Sequence, residues 1–191
     1  HDEFLYPQVS HLRKGTIKVK EGDSVNRSQI IGQCGNSGRS PYPHLHFQLQ
    51  ASALVGAATL RYPVDHYLLI ADDQMQEYYS FEIPSENDRI CPVQTSEELS
   101  SAFNFQPGQE IISKDKEGEN LHWEIKVDEF NRSYIECAHS SDRAWFRNDS
   151  TAFYFTSYEG AFDSPLYNFF LALYQVPLYY DKNLVVNEEV P

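Results

Sequence analysis

The segment PHLHF places two imidazole side chains, His44 and His46, two residues apart in an apolar run. On an extended strand, side chains at positions i and i+2 point to the same face, about 6.5–7 Å apart along the strand. At that spacing one imidazole can ligate a metal ion at about 2.0–2.1 Å while the other contacts a water molecule or a substrate. The pair therefore indicates a metal site, a catalytic pair or two ordinary strand residues.

A strand over residues 44–49 would separate polar from apolar side chains. One face would carry His44, His46 and Gln48, and the other face would carry Leu45, Phe47 and Leu49. We predict that the apolar face packs against a core, as in a half-buried strand. The two imidazoles would then face solvent or a cleft.

Short strands separated by glycine turns precede the two histidines. Residues 16–19 alternate partly between apolar and polar types, Gly22-Asp23 is a turn signal, and residues 30–31 are apolar. Strands at such close spacing are typical of an all-β domain. The small apolar residues at 51–58 predict a further strand or a hairpin.

Charge divides the 191 residues into two parts. Residues 1–70 carry seven Lys and Arg against five Asp and Glu, whereas residues 71–191 carry eight against 23, and the net charge of the chain is −13. We therefore predict two domains, at residues 1–75 and 76–191. An acidic part of this size disfavours nucleic acid and anionic membranes as its partners.

Residues 76–191 combine strand patterns with one helix signal. Residues 122–128 alternate strictly between apolar and polar types, which predicts a half-buried strand. Ser164-Pro165 predicts a helix start, and Pro177 predicts its end. We predict an acidic, β-rich accessory domain with a helix near residues 165–175, and a chain that is mostly β.

Other chemistry-bearing residues are scattered. The three cysteines lie far apart, so a Cys-x-x-Cys motif is excluded, and either one disulfide or three free thiols is possible: Cys34, Cys91 and Cys137. Three isolated histidines are expected to be ordinary surface or core residues: His66, His122 and His139. The chain has no apolar run of about 18 residues of the kind that spans a membrane.

Residues 10–47 resemble the second half of the lysostaphin/LytM-type zinc metallopeptidases, which cut peptide bonds in peptidoglycan. The family pattern contains Tyr-x-His-Leu, then Gly-Asp-x-Val-x-x-Gly-Gln-x-Ile-Gly, a Gly-x-(Ser/Thr)-Gly-x-Ser loop and a closing His-Leu-His-Phe. The matching segments, in the same order and at similar spacing, are SHL at 10–12, GDSV to QIIG at 22–32, GNSGRS at 35–40 and HLHF at 44–47. The resemblance implies a partial LytM-like β-sheet of the duplicated-hybrid-motif type.

The resemblance also implies roles for individual residues. His46 matches a zinc ligand, and His11 and His44 match the histidines that flank the reacting water. Asn36 and Ser40 lie in the loop before the strand, where they contact substrate or shape a turn. A peptidoglycan peptide is the implied substrate, and the bacterial cell envelope or extracellular space is the implied location.

One element of the family pattern is missing from this chain. The family's two other zinc ligands come from an earlier His-x-x-x-Asp motif, and no histidine here has an acidic residue four positions later. Smaller departures are Val9 in place of Tyr, Ser28 in place of Gly, and Pro41-Tyr42 in place of Thr-Gly. We expect the ligand-bearing half to lie upstream.

This departure leaves alternatives open. Zinc sites use three or four protein ligands, so we expect the chain alone to bind no catalytic zinc tightly and to cleave nothing. The alternative is a non-catalytic relative that has lost the metal and binds the cell wall or a partner. In a third interpretation, the acidic domain is the main functional unit and binds a partner protein.

Overall fold

The computed structural model describes residues 5–26, 28–71, 75–114 and 118–187, which contain thirteen strands and two helices. The described residues are mostly β, which confirms the predicted fold class. The chain divides between Pro63 and Val64 into two compact units, the N-terminal unit and the C-terminal unit. This division falls earlier than the boundary expected after residue 75, because β4 (Val64–Ile70) pairs with β5 (Gln76–Glu82).

The N-terminal unit contains a three-stranded antiparallel sheet in the order β1-β2-β3. Its strands are β1 (Tyr6–Ser10), β2 (His46–Gln50) and β3 (Thr59–Leu60). β1 pairs with β2 along its whole length, and Ser10 lies opposite His46. The sheet therefore places the end of β1 beside the beginning of β2, although a long segment of chain connects them.

The strands expected at residues 16–19 and 30–31 are not formed. The two segments approach each other, and the backbone N–H of Lys18 donates to the carbonyl of Ile31 at 2.9 Å. Ile17 and Ile30 are 62% and 63% exposed, so they provide no buried face for a regular strand pair. Residues 51–56 form bends and turns, and the next strand begins at Thr59.

The apolar face predicted for residues 44–49 is only partly covered by other described residues of the chain. Leu45 and Phe47 are 53% and 47% exposed, and the Phe47 ring contacts Tyr62 edge to face with centroids 5.7 Å apart. The expected packing of this face against a core is therefore wrong for the described residues. A single three-stranded sheet supplies no second layer to cover it.

The C-terminal unit contains two sheets. A six-stranded antiparallel sheet has the order β12-β11-β10-β9-β8-β7, and a four-stranded sheet has the order β13-β5-β4-β6 with β13 parallel to β5. Its remaining elements are β6 (Ile90–Pro92), α1 (Glu97–Ala102), β7 (Glu110–Lys114), β8 (Asn120–Val127), β9 (Ser133–Cys137), β10 (Arg143–Asn148), β11 (Ala152–Glu159), α2 (Pro165–Ala172), β12 (Gln175–Pro177) and β13 (Leu184–Val186).

The core of the C-terminal unit combines aromatic and aliphatic side chains. The predicted alternation along β8 is confirmed, because Trp123 and Ile125 are 3% and 0% exposed. Full burial of one large apolar side chain stabilises the fold by about 1.5–3 kcal/mol. The same buried cluster includes the larger side chains of Ile135, Phe146, Phe153, Phe155, Leu166 and Phe170.

Helix α2 begins where the sequence predicts. The Ser164 hydroxyl accepts from the backbone N–H of Tyr167 at 3.1 Å, and Pro165 occupies the first helical turn. Leu166 and Phe170, one helical turn apart, are buried in the core. Helix α1 was not predicted, because its six residues include no buried side chain and so carry no apolar period.

Two further findings concern the whole described chain. The cysteines are three free thiols, with Cys34 exposed, Cys91 half-buried and Cys137 buried, which is one of the two expected alternatives. Neither α1 nor α2 has the length and apolar character needed to cross a membrane.

Candidate active site

The imidazoles of His11, His44 and His46 lie together in the N-terminal unit, and we call them the histidine cluster. The ring centroids of His11 and His44 are 4.7 Å apart, and those of His11 and His46 are 5.9 Å apart. His46 is exposed, whereas His11 and His44 are half-buried. The structure thus brings together the three histidines selected from the sequence, while their roles stay predictions.

The pairing of β1 with β2 sets the positions of these histidines. His46 lies opposite Ser10, and His11 follows directly after β1. The φ angle of His11 is 63°, in the left-handed region that non-glycine residues adopt uncommonly. The strand therefore ends at Ser10, and the chain turns so that the His11 ring lies beside the His44 ring.

Two isolated bridges hold the intervening loop against the histidine cluster. Leu12 pairs with Cys34, and Gly35 pairs with His44. A Cβ atom on Gly35 would lie 2.6 Å from both the backbone nitrogen and the Cα of Arg13, which is closer than real Cβ contacts. Glycine at this position therefore permits the backbones that carry His11 and His44 to lie side by side.

Backbone carbonyls fix the proton on two of the rings. The Nδ1 of His11 lies 2.7 Å from the carbonyl oxygen of Ser37, and the Nδ1 of His44 lies 2.8 Å from that of Tyr42. A carbonyl can only accept, so each neutral ring carries its proton on Nδ1 and donates it. Each Nε2 then keeps a lone pair that can accept a proton.

The ring of His46 makes its contact through Nε2 rather than through Nδ1. Its Nε2 lies 2.8 Å from the side-chain oxygen of Gln48, on the same face of β2. If Nε2–H donates to Gln48, the Nδ1 lone pair is available to a metal ion, and Gln48 is the outer partner that orients the ring. Within the described residues, the histidine cluster does not form a three-ligand group that could hold an ion by itself.

Asn36 and Ser40 support the loop around His44. The Ser40 hydroxyl donates to the Tyr42 carbonyl at 2.7 Å and lies 3.1 Å from His44 Nδ1. With its amide oriented to donate, Asn36 Nδ2 lies 3.0 Å from the Tyr42 carbonyl and 2.6 Å from the Ser40 hydroxyl. These contacts shape the turn that precedes β2, and a substrate contact for either residue stays a prediction.

Sequence reasoning missed the groups that orient the rings. The carbonyls of Ser37 and Tyr42 are backbone atoms, so residue type carries no signal for them. Gln48 was placed on the histidine face of the strand, but its contact with His46 was not anticipated. The i, i+2 relation of two long polar side chains on one strand is the signal that could have identified this contact.

Comparisons with known proteins find similarity to part of this chain. Residues 1–56 match the family model described as Peptidase family M23. The peptidoglycan DD-endopeptidase ShyA of Vibrio cholerae is 45% identical over 49 residues, which are 26% of this chain and 11% of that protein. The glycyl-glycine endopeptidase ALE-1 of Staphylococcus capitis is 55% identical over 38 residues, which are 20% of this chain and 10% of that protein.

The matches cover only part of this chain and of each relative. The chain spans about a tenth of the length of either curated relative. No solved structure matches the chain. The residues that match the family model, 1–56, include the β1–β2 pair and the three histidines. The N-terminal unit therefore contains part of a LytM-type domain of peptidase family M23.

Proposed function

We propose that the histidine cluster is part of the active site of a zinc-dependent peptidoglycan endopeptidase. In this site His46 is a zinc ligand, and His11 and His44 act on the reacting water and the substrate. The observation that carries the proposal is the convergence of three imidazoles at the adjoining ends of β1 and β2, within the segment that matches the peptidase family.

The residues present can supply one of the ligands of a zinc site. His46 is exposed, and its Gln48 contact leaves Nδ1 as the coordinating atom. Outer partners of this kind are typical of metal-ligating histidines. A single imidazole does not hold zinc tightly, so the remaining ligands come from a His-x-x-x-Asp segment outside these 191 residues, and the chain alone is inactive.

The chain's own residues supply proton transfer. When bound, zinc would lower the pKa of a water molecule to about 7 and polarise the scissile carbonyl. The Nε2 lone pair of His11 or His44 takes the proton of the attacking water. The resulting imidazolium then stabilises the oxyanion by hydrogen bonding and donates a proton to the leaving amine as the C–N bond breaks.

Peptidoglycan peptide is the proposed substrate, because both relatives are named as endopeptidases and ShyA is named for peptidoglycan. With such a substrate, the proposed location is the cell envelope or the outside of a bacterial cell. Asn36 and Ser40, in the loop beside His44, are proposed to shape the wall of the substrate groove.

A fusion that restores the missing ligands tests the proposal. The segment of ALE-1 that precedes its matching region is joined to the start of this chain, and release of new amino groups from peptidoglycan is measured. We expect no release by the chain alone, and release by the fusion that a chelator abolishes and zinc restores.

Variants of the fusion separate the three roles. His46→Ala should lower zinc content, whereas His11→Ala and His44→Ala should keep zinc but slow hydrolysis by about 10²–10⁴-fold. His139→Ala, an exposed histidine of the C-terminal unit, is the matched control. Hydrolysis by the unfused chain, or full zinc content in the His46→Ala fusion, would contradict the proposal. A zinc-loaded fusion that binds peptidoglycan without cutting it would favour the non-catalytic alternative.

A further inference from the structure

A second group of potential metal ligands lies in the C-terminal unit. The carboxylates of Asp65 and Asp149 converge on the imidazole of His66, and one ligand atom from each residue lies within 4.8 Å of the other two. The Nε2 of His66 is 2.6 Å from Asp149 Oδ2 and 3.3 Å from Asp65 Oδ1. Among the described residues, this is the group of three with metal-ligand spacing.

The strand geometry around Asp65 is irregular. Consecutive residues of a strand normally point to opposite faces, yet the side chains of Asp65 and His66 reach the same point. The pairing of β4 with β5 joins Val64 to Glu82 and His66 to Ser80, while Phe81 between them adopts a φ of 56°. This local departure from regular strand geometry accompanies the approach of the Asp65 carboxylate to the buried ring.

Both the ring and one carboxylate are held in place. Asp149 Oδ1 accepts from the backbone N–H groups of Thr151 and Ala152, at 2.9 and 2.8 Å. The Oδ2 of Asp149 is thereby directed to His66.

On its other side, the His66 ring contacts a hydroxyl. Its Nδ1 lies 2.5 Å from the Tyr78 hydroxyl oxygen, which also accepts from the Gln175 amide at 2.9 Å. If Nδ1 carries the ring proton and donates it to Tyr78, the Nε2 lone pair is directed toward the two carboxylates. A metal-ligating histidine is usually a neutral imidazole that donates its one N–H to such a partner and binds the metal through the other nitrogen.

Hydrogen bonding to His66 does not neutralise both carboxylates of this group. The single N–H of His66 Nε2 can donate well to one carboxylate, and Asp149 at 2.6 Å occupies that position. Asp65 is then a second negative charge near the first. A divalent cation that replaces the Nε2 proton would neutralise both carboxylates at once.

The surroundings give an ion access and open coordination positions. The side chains of Asp65 and Asp149 are 64% and 28% exposed, whereas that of His66 is 1% exposed. Asp149 also lines a cavity of about 920 Å³, with Phe130, Arg132 and Tyr154. Three protein ligands are the number that catalytic metal sites use, and in such sites a further position binds water or a ligand.

We propose that Asp65, His66 and Asp149 form a binding site for a first-row divalent transition-metal ion, separate from the histidine cluster. One imidazole nitrogen with two carboxylate oxygens suits Zn²⁺ or Mn²⁺, whereas Mg²⁺ and Ca²⁺ prefer all-oxygen sites. This site does not depend on the proposed peptidase function.

Metal titration of the full chain in the His46→Ala background tests the site, because that variant removes the proposed ligand of the histidine cluster. Isothermal titration with Zn²⁺ and Mn²⁺ should give one ion per chain, and Mn²⁺ should broaden the NMR signals of the His66 ring first. Mg²⁺ and Ca²⁺ should bind more weakly than either.

Asp65→Asn is the decisive variant, because an exposed side chain can be changed without risk to the fold. Loss of a residue that only orients a metal ligand typically weakens metal binding by about 10–100-fold, and we expect a loss of this size for Tyr78→Phe. We expect Asp65→Asn, which removes a ligand, to weaken metal binding more than this. Asp163→Asn, which removes one exposed carboxylate of the same unit, is the charge-matched control and should bind normally. No stoichiometric ion, or equal affinity in Asp65→Asn and Asp163→Asn, would overturn the proposal.

Discussion

The two units hold their side chains in place by different means. In the C-terminal unit, Phe153 is fully buried and packs with the rings of Phe103, Phe146 and Phe155. In the N-terminal unit, Phe47 is 47% exposed, and the histidine cluster is held by paired strand ends and backbone hydrogen bonds. Burial stabilises the first arrangement, and backbone geometry specifies the second.

The imidazoles show the same contrast. His66 is buried between a carboxylate and a hydroxyl, and both ring nitrogens contact side chains. His11 and His44 each contact a backbone carbonyl through one nitrogen. Side-chain substitutions should therefore disturb the C-terminal group most, whereas changes that move the backbone should disturb the histidine cluster.

The largest expected effect is loss of stability on truncation of the aromatic core. Phe153→Ala should lower the free energy of unfolding by about 3–5 kcal/mol, because it leaves a cavity among buried rings. Phe47→Ala, the matched change on the exposed face of β2, should cost less than about 1 kcal/mol, since half of the ring already contacts water. Denaturant unfolding of both variants measures the difference, and equal losses would break the contrast between the units.

The second effect tests backbone control of the histidine cluster. Gly35→Ala places a Cβ 2.6 Å from the Arg13 backbone, so we expect a cost of about 1–3 kcal/mol, as for other overpacked sites. The NMR signals of the His11 and His44 rings should shift. Gly32→Ala, whose Cβ would meet Leu12 at an ordinary 3.5 Å, is the control and should leave those signals in place.

The third effect concerns the outer partner of the proposed zinc ligand. In the fusion that restores the missing ligands, Gln48→Leu should weaken zinc binding by about 10–100-fold, because His46 loses the acceptor that orients its ring. Gln33→Leu, at an exposed glutamine beside Arg13, should not change it. Unaltered zinc affinity in Gln48→Leu would show that the His46 ring is oriented by other contacts.

The smallest effect is electrostatic and depends on pH. The hydrogen bond from Lys126 holds the pKa of Glu136 below its ordinary value, burial opposes it, and Arg143 adds to the lowering. A lowered carboxyl pKa contributes stability that is complete above the unfolded value of about 4.3 and is lost as the pH falls through the folded value. The stability difference between the wild type and Glu136→Gln should therefore shrink on acidification. Glu124→Gln, at a more exposed carboxylate, should show a smaller difference.

Sequence reasoning predicted those parts of the structure that depend on local pattern. The alternation around Trp123 and Ile125 gave strand β8, and Ser164-Pro165 gave the start of α2, because periodicity and capping act over a few residues. The spacing of the sequence motif predicted which histidines form the histidine cluster. The contact between His66 and Asp149 could not be predicted from the sequence, because the two residues are 83 positions apart and meet only in the folded chain.

The exposed apolar face of β2 was mispredicted for a related reason. Alternation along residues 44–49 indicates which side chains share a face, but not whether another layer covers that face. The absence of regular strands at residues 16–19 and 30–31 shows the same limit, since a strand-like sequence pattern without a buried face does not produce a paired strand.

The isolated bridge between Leu12 and Cys34 has a practical consequence. Cys34 is the exposed member of the three thiols, while Cys137 is buried and Cys91 is half-buried. A maleimide-linked dye or spin probe should thus attach first at Cys34, next to the residue that follows His11, without any engineered mutation. The native chain therefore already carries an attachment point from which distances to the histidine cluster can be measured.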